Sequence, residues 1–408
     1  MKLILALSFI LCSLLSYSQK NKKFNIKSGN WISELKLNDQ DILPFNLIIN
    51  SDLTCTVLNA EEHIQLQKPV FKNDSIYLMF PYFNSELVFK IVNKKELKGY
   101  WVNYNKGADY KIPFTAIRKT DVLFSQAKNE KSTFNSNGKW QVEFEPNTDS
   151  SYPAVGLFNQ EEGSNKVTGT FLTETGDYRF LEGNSVNDSL YLSCFDGSHA
   201  FLFKAKLKSD TLIGTFNSGS HWKSEWLGFK NDLFELASPE ELTYLKENTS
   251  VNFSLNKLNG ELFTYPNDNY KDKVVIIQIM GTWCPNCLDE TMYYKSLYDK
   301  YHNDGLEIIS VCYEAGKTQE DYISSITRYK EQLNVEFNFI IGGAASKNKA
   351  ANDFNMLNDI LSFPTSIFIG RDGNVERVHT GFNGPGTGSY YDDYVRKTNS
   401  LIESLLAH

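Results

Sequence analysis

The sequence predicts a multi-domain protein in which an all-β region precedes an α/β sandwich domain. Three observations carry this. The 408 residues exceed what one hydrophobic core usually holds, and a 41% hydrophobic content is enough to fill two or three. From about Phe24 to about Lys230 the chain runs in short stretches rich in Tyr, Phe, Val and Thr, broken by Asn-Asp, Asn-Gly and Gly. From Val251 onward, apolar runs alternate with helical patterns.

Met1-Lys2, an apolar stretch over residues 3–15 and the small residues of Ser16-Tyr17-Ser18 read as a secretory signal, residues 1–18, cut before Gln19. The stretch is shorter than the roughly 20 residues a membrane span needs. An exported, periplasmic protein is therefore expected, ahead of a retained anchor. A lipid-modified Cys12 is disfavoured because the bulky Leu11 stands before it.

The β region repeats itself in order and at nearly constant spacing. Gly29-Asn30-Trp31 recurs as Gly138-Lys139-Trp140, Asn73-Asp74-Ser75-Ile76-Tyr77-Leu78 as Asn187-Asp188-Ser189-Leu190-Tyr191-Leu192, and Leu97-Lys98-Gly99-Tyr100 as Leu212-Ile213-Gly214-Thr215. Two tandem β modules follow, residues 19–125 and 126–235, each a barrel or a sandwich. The Gly-x-Trp that opens each module faintly resembles the start of a lipocalin-type barrel. Trp31 and Trp140 are expected to plug the module floor rather than to grip a ligand.

Ser238-Pro239-Glu240-Glu241 combines an N-cap, a helix-starting proline and acidic first-turn residues, so residues 236–250 are expected to form a linker, helical to about Lys246. Residues 251–408 then read as strand 274–280, helix 288–301, strand 306–311, helix 318–333, strand 337–341, strand 365–369 and a closing helix over about 390–406.

Chemistry concentrates where strand 274–280 ends, at Gly281-Thr282-Trp283-Cys284-Pro285-Asn286-Cys287. Two cysteines three apart at the start of a helix lie close enough to close a small disulfide ring. Cys284, at the helix start, faces unpaired backbone N–H groups and the positive end of the helix dipole, which favour a thiolate and so an attacking sulfur. Cys287, one turn inside, suits resolution of a mixed disulfide. Pro285 fits the first turn, where a missing N–H costs least, and Trp283 flanks the site. Glu290, one turn beyond Cys287, can share its face and exchange its proton; the bland alternative is an acid placed favourably early in a helix.

Other readings of the pair lack support. A zinc site needs a second Cys or His pair at ligand spacing, and haem attachment needs His where Leu288 stands. No metal and no cofactor is expected. A structural staple gains little from so short a loop. Cys55, Cys194 and Cys312 are expected to be buried free thiols. Residues 381–388, Gly-rich without the Lys-Ser/Thr of a phosphate loop, read as a flexible connection. A formal net charge of −8 and the absence of a Lys/Arg block exclude nucleic acid as a partner.

Residues from about 250 resemble the thioredoxin-like domain of the TlpA/ResA family of exported thiol-disulfide oxidoreductases. The features that carry the resemblance occur in order: Asn259-Gly260 in the hairpin 253–265, the apolar strand, the Trp-Cys-Pro-Asn-Cys motif, and Phe363-Pro364-Thr365-Ser366-Ile367-Phe368-Ile369 followed by Arg371-Asp372-Gly373. The resemblance implies that Pro364 is a cis-proline facing the dithiol, with Phe363 beside it where backbone pairs with a substrate strand, and that Glu290 tunes the site. It also implies substrate proteins bearing disulfides, a membrane thiol electron donor and a task such as cytochrome c maturation. Gln278, Met280 and Pro-Asn between the cysteines depart from the usual residues, which leaves the redox potential open. The alternative function is a binding module for an unknown ligand or partner, built on the β repeats, with an auxiliary redox domain. A peroxidase of the peroxiredoxin type is disfavoured, because such enzymes use a lone peroxidatic cysteine.

Overall fold

The structure is a computed structural model that describes residues 26–107, 109–119, 122–128 and 130–407. The expected signal segment, Cys12 included, lies outside the described residues. Three sheets follow one another along the chain.

The first is a nine-stranded antiparallel sheet that runs from Gly29–Lys36 to Lys111–Ile117, with Glu62–Gln65 and Val70–Lys72 as its two edge strands. Alternation sets its inner face: Leu43, Phe45, Leu47 and Ile49 of strand Ile42–Ile49 are buried, as are Trp31, Leu35, Leu87, Phe89, Trp101 and Phe114. The second sheet also has nine strands but closes on itself. Gly138–Phe144 pairs with both Tyr152–Gln160 and Trp222–Lys230, and Tyr152–Gln160 pairs onward with Lys166–Thr173. The result is an antiparallel barrel filled by aromatics, with the Phe144, Phe158, Phe171, Phe203, Phe216 and Trp226 rings packed on one another.

The two Gly-x-Trp segments take the same local form. Trp31 Nε1 donates to the Lys27 carbonyl at 3.1 Å, and Trp140 Nε1 to the Ser136 carbonyl at 2.8 Å, each four residues back. Both indoles are buried in hydrophobic cores, so the N–H that a buried tryptophan must satisfy goes to a nearby backbone carbonyl.

The open mouth of the first sheet is filled by the second. Between strands Ser189–Phe195 and Ala200–Lys208 the chain turns through Asp196-Gly197-Ser198, with the Ser198 and His199 amides donating to Asp196 Oδ1 at 2.8 and 2.6 Å. Phe195 enters the first sheet, its ring 4.5 Å from Phe45, 5.1 Å from Trp101 and 5.4 Å from Phe80. The Asn59 side chain pairs with both backbone groups of Phe195 at 3.0 Å, standing in for a strand neighbour. Gly197 adopts φ 90°, and a Cβ there would lie 2.2 Å from the Phe80 ring, so glycine is required at this approach.

The segment between barrel and C-terminal domain is shorter in helix than the sequence suggests. Only Pro239–Leu242 is helical, capped by Ser238. Thr243 is already extended, and the following residues pair with residues 356–358: the Lys246 amide donates to the Met356 carbonyl at 2.8 Å, and the Asn358 amide to the Tyr244 carbonyl at 3.0 Å. Tertiary pairing overrides the helical signal at the C-terminal end.

The C-terminal domain is an α/β sandwich with a seven-stranded mixed sheet in the order Leu262–Tyr265, Phe253–Lys257, Asn338–Ala344, Leu306–Glu314, Val274–Met280, Thr365–Ile369, Val375–Thr380. Helices Pro285–Tyr301, Gln319–Leu333 and Ser389–Ala407 flank it. The central strand Val274–Met280 is buried along its whole length, and alternation divides its side chains between two cores. Ile276 and Met280 pack toward Leu288, Tyr294 and Ile402, whereas Val275, Ile277 and Ile279 face Phe354, Leu357 and Ile360. Two elements are absent from the sequence expectation, helix Lys347–Asp353, capped by Ser346, and the edge strand Val375–Thr380.

Phe195→Ala should destabilise the full chain by about 3–5 kcal/mol in chemical denaturation, because a fully buried ring leaves a cavity between two sheets. A loss below about 1 kcal/mol would mean that the sheets are not held by this residue.

Candidate active site

Strand Val274–Met280 delivers the motif to the end of the C-terminal sheet, and helix Pro285–Tyr301 begins there. Cys284 is the N-cap of that helix and Pro285 its first residue. The Cys287 amide donates to Cys284 Sγ at 3.2 Å, which places one of the unpaired first-turn N–H groups on the sulfur. Both thiols are free; Cys284 is 7% exposed and Cys287 fully buried. Burial, reinforced by the neighbouring Cys284, pushes the Cys287 thiol well above its usual range.

The opposing wall comes from the segment before strand Thr365–Ile369. The Phe363–Pro364 bond is cis, and the Cys284 thiol donates to the Phe363 carbonyl at 3.5 Å. Trp283 is half-buried; its indole N–H donates to the Tyr313 carbonyl at 2.9 Å, and its ring meets Phe363 edge-on at 6.1 Å. Phe363 stacks in turn on Tyr313 at 5.5 Å. The structure thus gathers Trp283, Cys284, Pro285, Cys287, Phe363 and Pro364 around one sulfur.

Glu290 lies below the pair and is fully buried. Gln278 Nε2, the Ser366 hydroxyl and the Tyr294 hydroxyl donate to its carboxylate at 2.9, 3.0 and 3.0 Å. Burial raises its pKa to about 7, against the pull of those hydrogen bonds. The same Gln278 amide also donates to the Cys287 backbone carbonyl at 3.4 Å, so it bridges Glu290 to the backbone of the dithiol helix. Glu314 forms a second buried acid: it accepts from the Thr282 amide at 3.0 Å and the Thr282 hydroxyl at 2.6 Å, which pins the loop before Trp283, and burial raises it also to about 7. Cys312 packs in the core with its thiol raised by burial, as do Cys55 and Cys194.

Several residues around the motif escaped the sequence reading. Gln278 carries a signal, since a lone amide in a run of Val, Ile and Met must find buried partners. Ser366 and Tyr394 carry none, because they meet Glu290 only through the fold. The barrel adds a further set. Ser198 Oγ donates to the Trp283 carbonyl at 2.7 Å, Arg179 Nη1 to the Pro285 carbonyl at 3.3 Å, and Ser362 Oγ, beside Phe363, to the Thr175 carbonyl at 2.8 Å. Residues 381–388, expected to connect freely, instead dock on the barrel: the Gly384 amide donates to Asp177 Oδ2 at 2.6 Å, and Asn286 Nδ2 bridges the Asp177 and Phe382 carbonyls at 3.4 and 3.3 Å. A segment with a backbone donor on a half-buried carboxylate is held, whatever its glycine content.

The C-terminal region is similar to known proteins. Residues 246–395 match the Redoxin family. The thiol-disulfide oxidoreductase ResA of Halalkalibacterium halodurans is 30% identical over 132 residues, which cover 32% of this chain and 66% of that protein. The ResA of Geobacillus kaustophilus is 27% identical over 133 residues, covering 33% of this chain and 68% of that protein. The chain thus spans about two thirds of the length of these curated relatives. A solved structure of a putative thiol:disulfide interchange protein DsbE from Chlorobium tepidum aligns at 18% identity with a TM-score of 0.31, covering 40% of this chain and 99% of that one.

The two buried acids give the site a pH signature. Folded Glu290 and Glu314 hold their protons to about pH 7, above the ordinary glutamate value near 4.5. Their burial therefore leaves stability intact below about pH 4.5 and lowers it as pH rises through 7, by roughly 3 kcal/mol for each fully buried acid. Glu290→Gln should flatten the stability profile of the chain between about pH 5 and 7 in denaturant titrations; an unchanged profile would show that Glu290 is ionised at all these pH values.

Proposed function

We propose that this chain is an exported thiol-disulfide oxidoreductase that reduces protein disulfides through Cys284 and Cys287. The observation that carries the reading is the Cys284 sulfur, held by the Cys287 amide at 3.2 Å and facing the Phe363 carbonyl beside the cis-peptide at Pro364. The likeness of residues 246–395 to redoxins and to ResA proteins supports the same chemistry.

In the proposed cycle the Cys284 thiolate attacks one sulfur of a substrate disulfide. That bond breaks, a mixed disulfide forms, and the other substrate sulfur leaves and takes a proton. Cys287 then gives up its proton and attacks Cys284 Sγ, which releases the second substrate sulfur as a thiol and leaves the pair oxidised. Two electrons have passed to the substrate, and an external dithiol must return them, the role foreseen for a membrane donor. Burial keeps Cys287 a thiol until the mixed disulfide forms, so its proton needs an acceptor. Glu290, one helical turn beyond Cys287 and raised by burial to about 7, is the acceptor we assign. Trp283 and Phe363 form the walls against which a substrate strand would lie, and Pro285 supports the helix start.

Purified protein should reduce insulin disulfides with a dithiol supplied, and Cys284→Ser should abolish turnover, because no other described thiol stands at a helix start with access to solvent. Undiminished turnover in that variant would remove the assignment. Glu290→Gln should slow release of the mixed disulfide by about 10²-fold or more at pH 7, the usual range for loss of a positioned proton acceptor.

A further inference from the structure

The closed barrel presses two loops onto the face of the dithiol. Loop 173–180 leaves strand Lys166–Thr173 and approaches the start of helix Pro285–Tyr301, while the turn 196–198 meets Trp283. Between them they reach both flanks of Cys284: Ser198 holds the Trp283 carbonyl on one side, and the Thr175 carbonyl holds Ser362 on the other. These loops therefore border the face on which Cys284, itself 7% exposed, meets Phe363.

Arg179 fastens the loop. Its side chain is 4% exposed and reaches Asp289 on the dithiol helix, Glu62 on the first sheet, Asp196 at 3.8 Å and the Pro285 carbonyl at 3.3 Å. Its backbone lies at φ 63°, a left-handed conformation that a residue with a long side chain adopts only when its surroundings impose it. Its Nε is buried without a hydrogen-bond partner. The fastening is thus strained and incompletely satisfied, and the other contacts of these loops to the redox face are single hydrogen bonds. These contacts are polar throughout, so once the loops lift, water can satisfy the groups they leave. The contact between barrel and first sheet differs, being built on the buried Phe195 ring.

We propose that loops 173–180 and 196–198 form a displaceable cover over Cys284, latched by Arg179, which admits small thiol reagents slowly and folded protein disulfides only when the cover lifts. The proposal rests on the oxidoreductase reading for its physiological meaning, but the accessibility of Cys284 can be measured without turnover.

The test compares the intact chain with Arg179→Gln, which removes the latch, and Gly176→Ala, whose Cβ would lie 2.3 Å from Asn286 Nδ2 and so wedge the loop away. Both changes are on the barrel; Arg179→Gln also removes the ion pair to Asp289 and the bond to the Pro285 carbonyl, and Gly176→Ala presses on the Asn286 side chain. The readout is the rate of Cys284 alkylation by iodoacetamide and by a polymer-bearing maleimide, followed by mass spectrometry on the reduced protein. Either folded variant should accelerate labelling about tenfold, the equivalent of roughly 1.4 kcal/mol of closing free energy, with the larger gain for the bulky reagent. In Gly176→Ala, which alters no charge, the potential of the Cys284/Cys287 pair should stay unchanged, which separates uncovering from a change in the thiols. Labelling within twofold of the unaltered chain would overturn the cover; should neither variant fold, Ser198→Ala, which removes only the bond to the Trp283 carbonyl, decides by the same criterion. A chain whose labelling accelerates but whose Cys284→Ser variant retains insulin reduction would keep the cover and lose the oxidoreductase assignment.

Discussion

The turn at residues 196–198 joins all three sheets, because Phe195 on one side of it fills the first sheet while Ser198 on the other binds the backbone of Trp283. An open sheet with a buried aromatic face needs something apolar to close it. The barrel supplies that ring, and in doing so it brings Arg179 and Thr175 into register with the dithiol helix. The surroundings of Cys284 therefore depend on packing that begins in another part of the chain.

The chemistry itself is local. A strand buried on both faces carries the motif to the C-terminal end of the sheet, and a helix starting at Pro285 aims one unpaired amide at the sulfur. The second cysteine, one turn deeper, is kept protonated by its burial. Beneath it Gln278, Ser366 and Tyr294 hold a carboxyl that burial has brought to the edge of ionisation at neutral pH. A group so poised can accept and return a proton with little driving force lost either way.

Much of this was legible in the sequence wherever the signal is local. The motif, the strand before it and strand Thr365–Ile369 follow from apolar runs and their punctuation. Glu290 follows from helical spacing. What escaped is long-range. Arg179 meets Asp289 across 110 residues and Glu62 across 117, and Asn59 meets Phe195 across 136; no pattern in a single sequence links such positions. Helix Lys347–Asp353 was missed because seven residues are too few to establish periodicity, and the linker helix was overextended because pairing with residues 356–358 outweighs its propensity. The glycines of 381–388 suggested freedom, yet Asp177 holds that segment by its backbone.

The central claim is that Cys284 and Cys287 form a reducing redox couple, and its most direct test is the equilibrium potential of that pair in the intact chain, set by defined dithiol and disulfide mixtures and read by thiol labelling. The account predicts one two-electron couple, lost in Cys284→Ser, with a potential near thioredoxin's, about −270 mV. A value near about −120 mV would mark an oxidant and contradict the direction of electron flow proposed here, and the absence of any such couple would contradict the redox assignment itself.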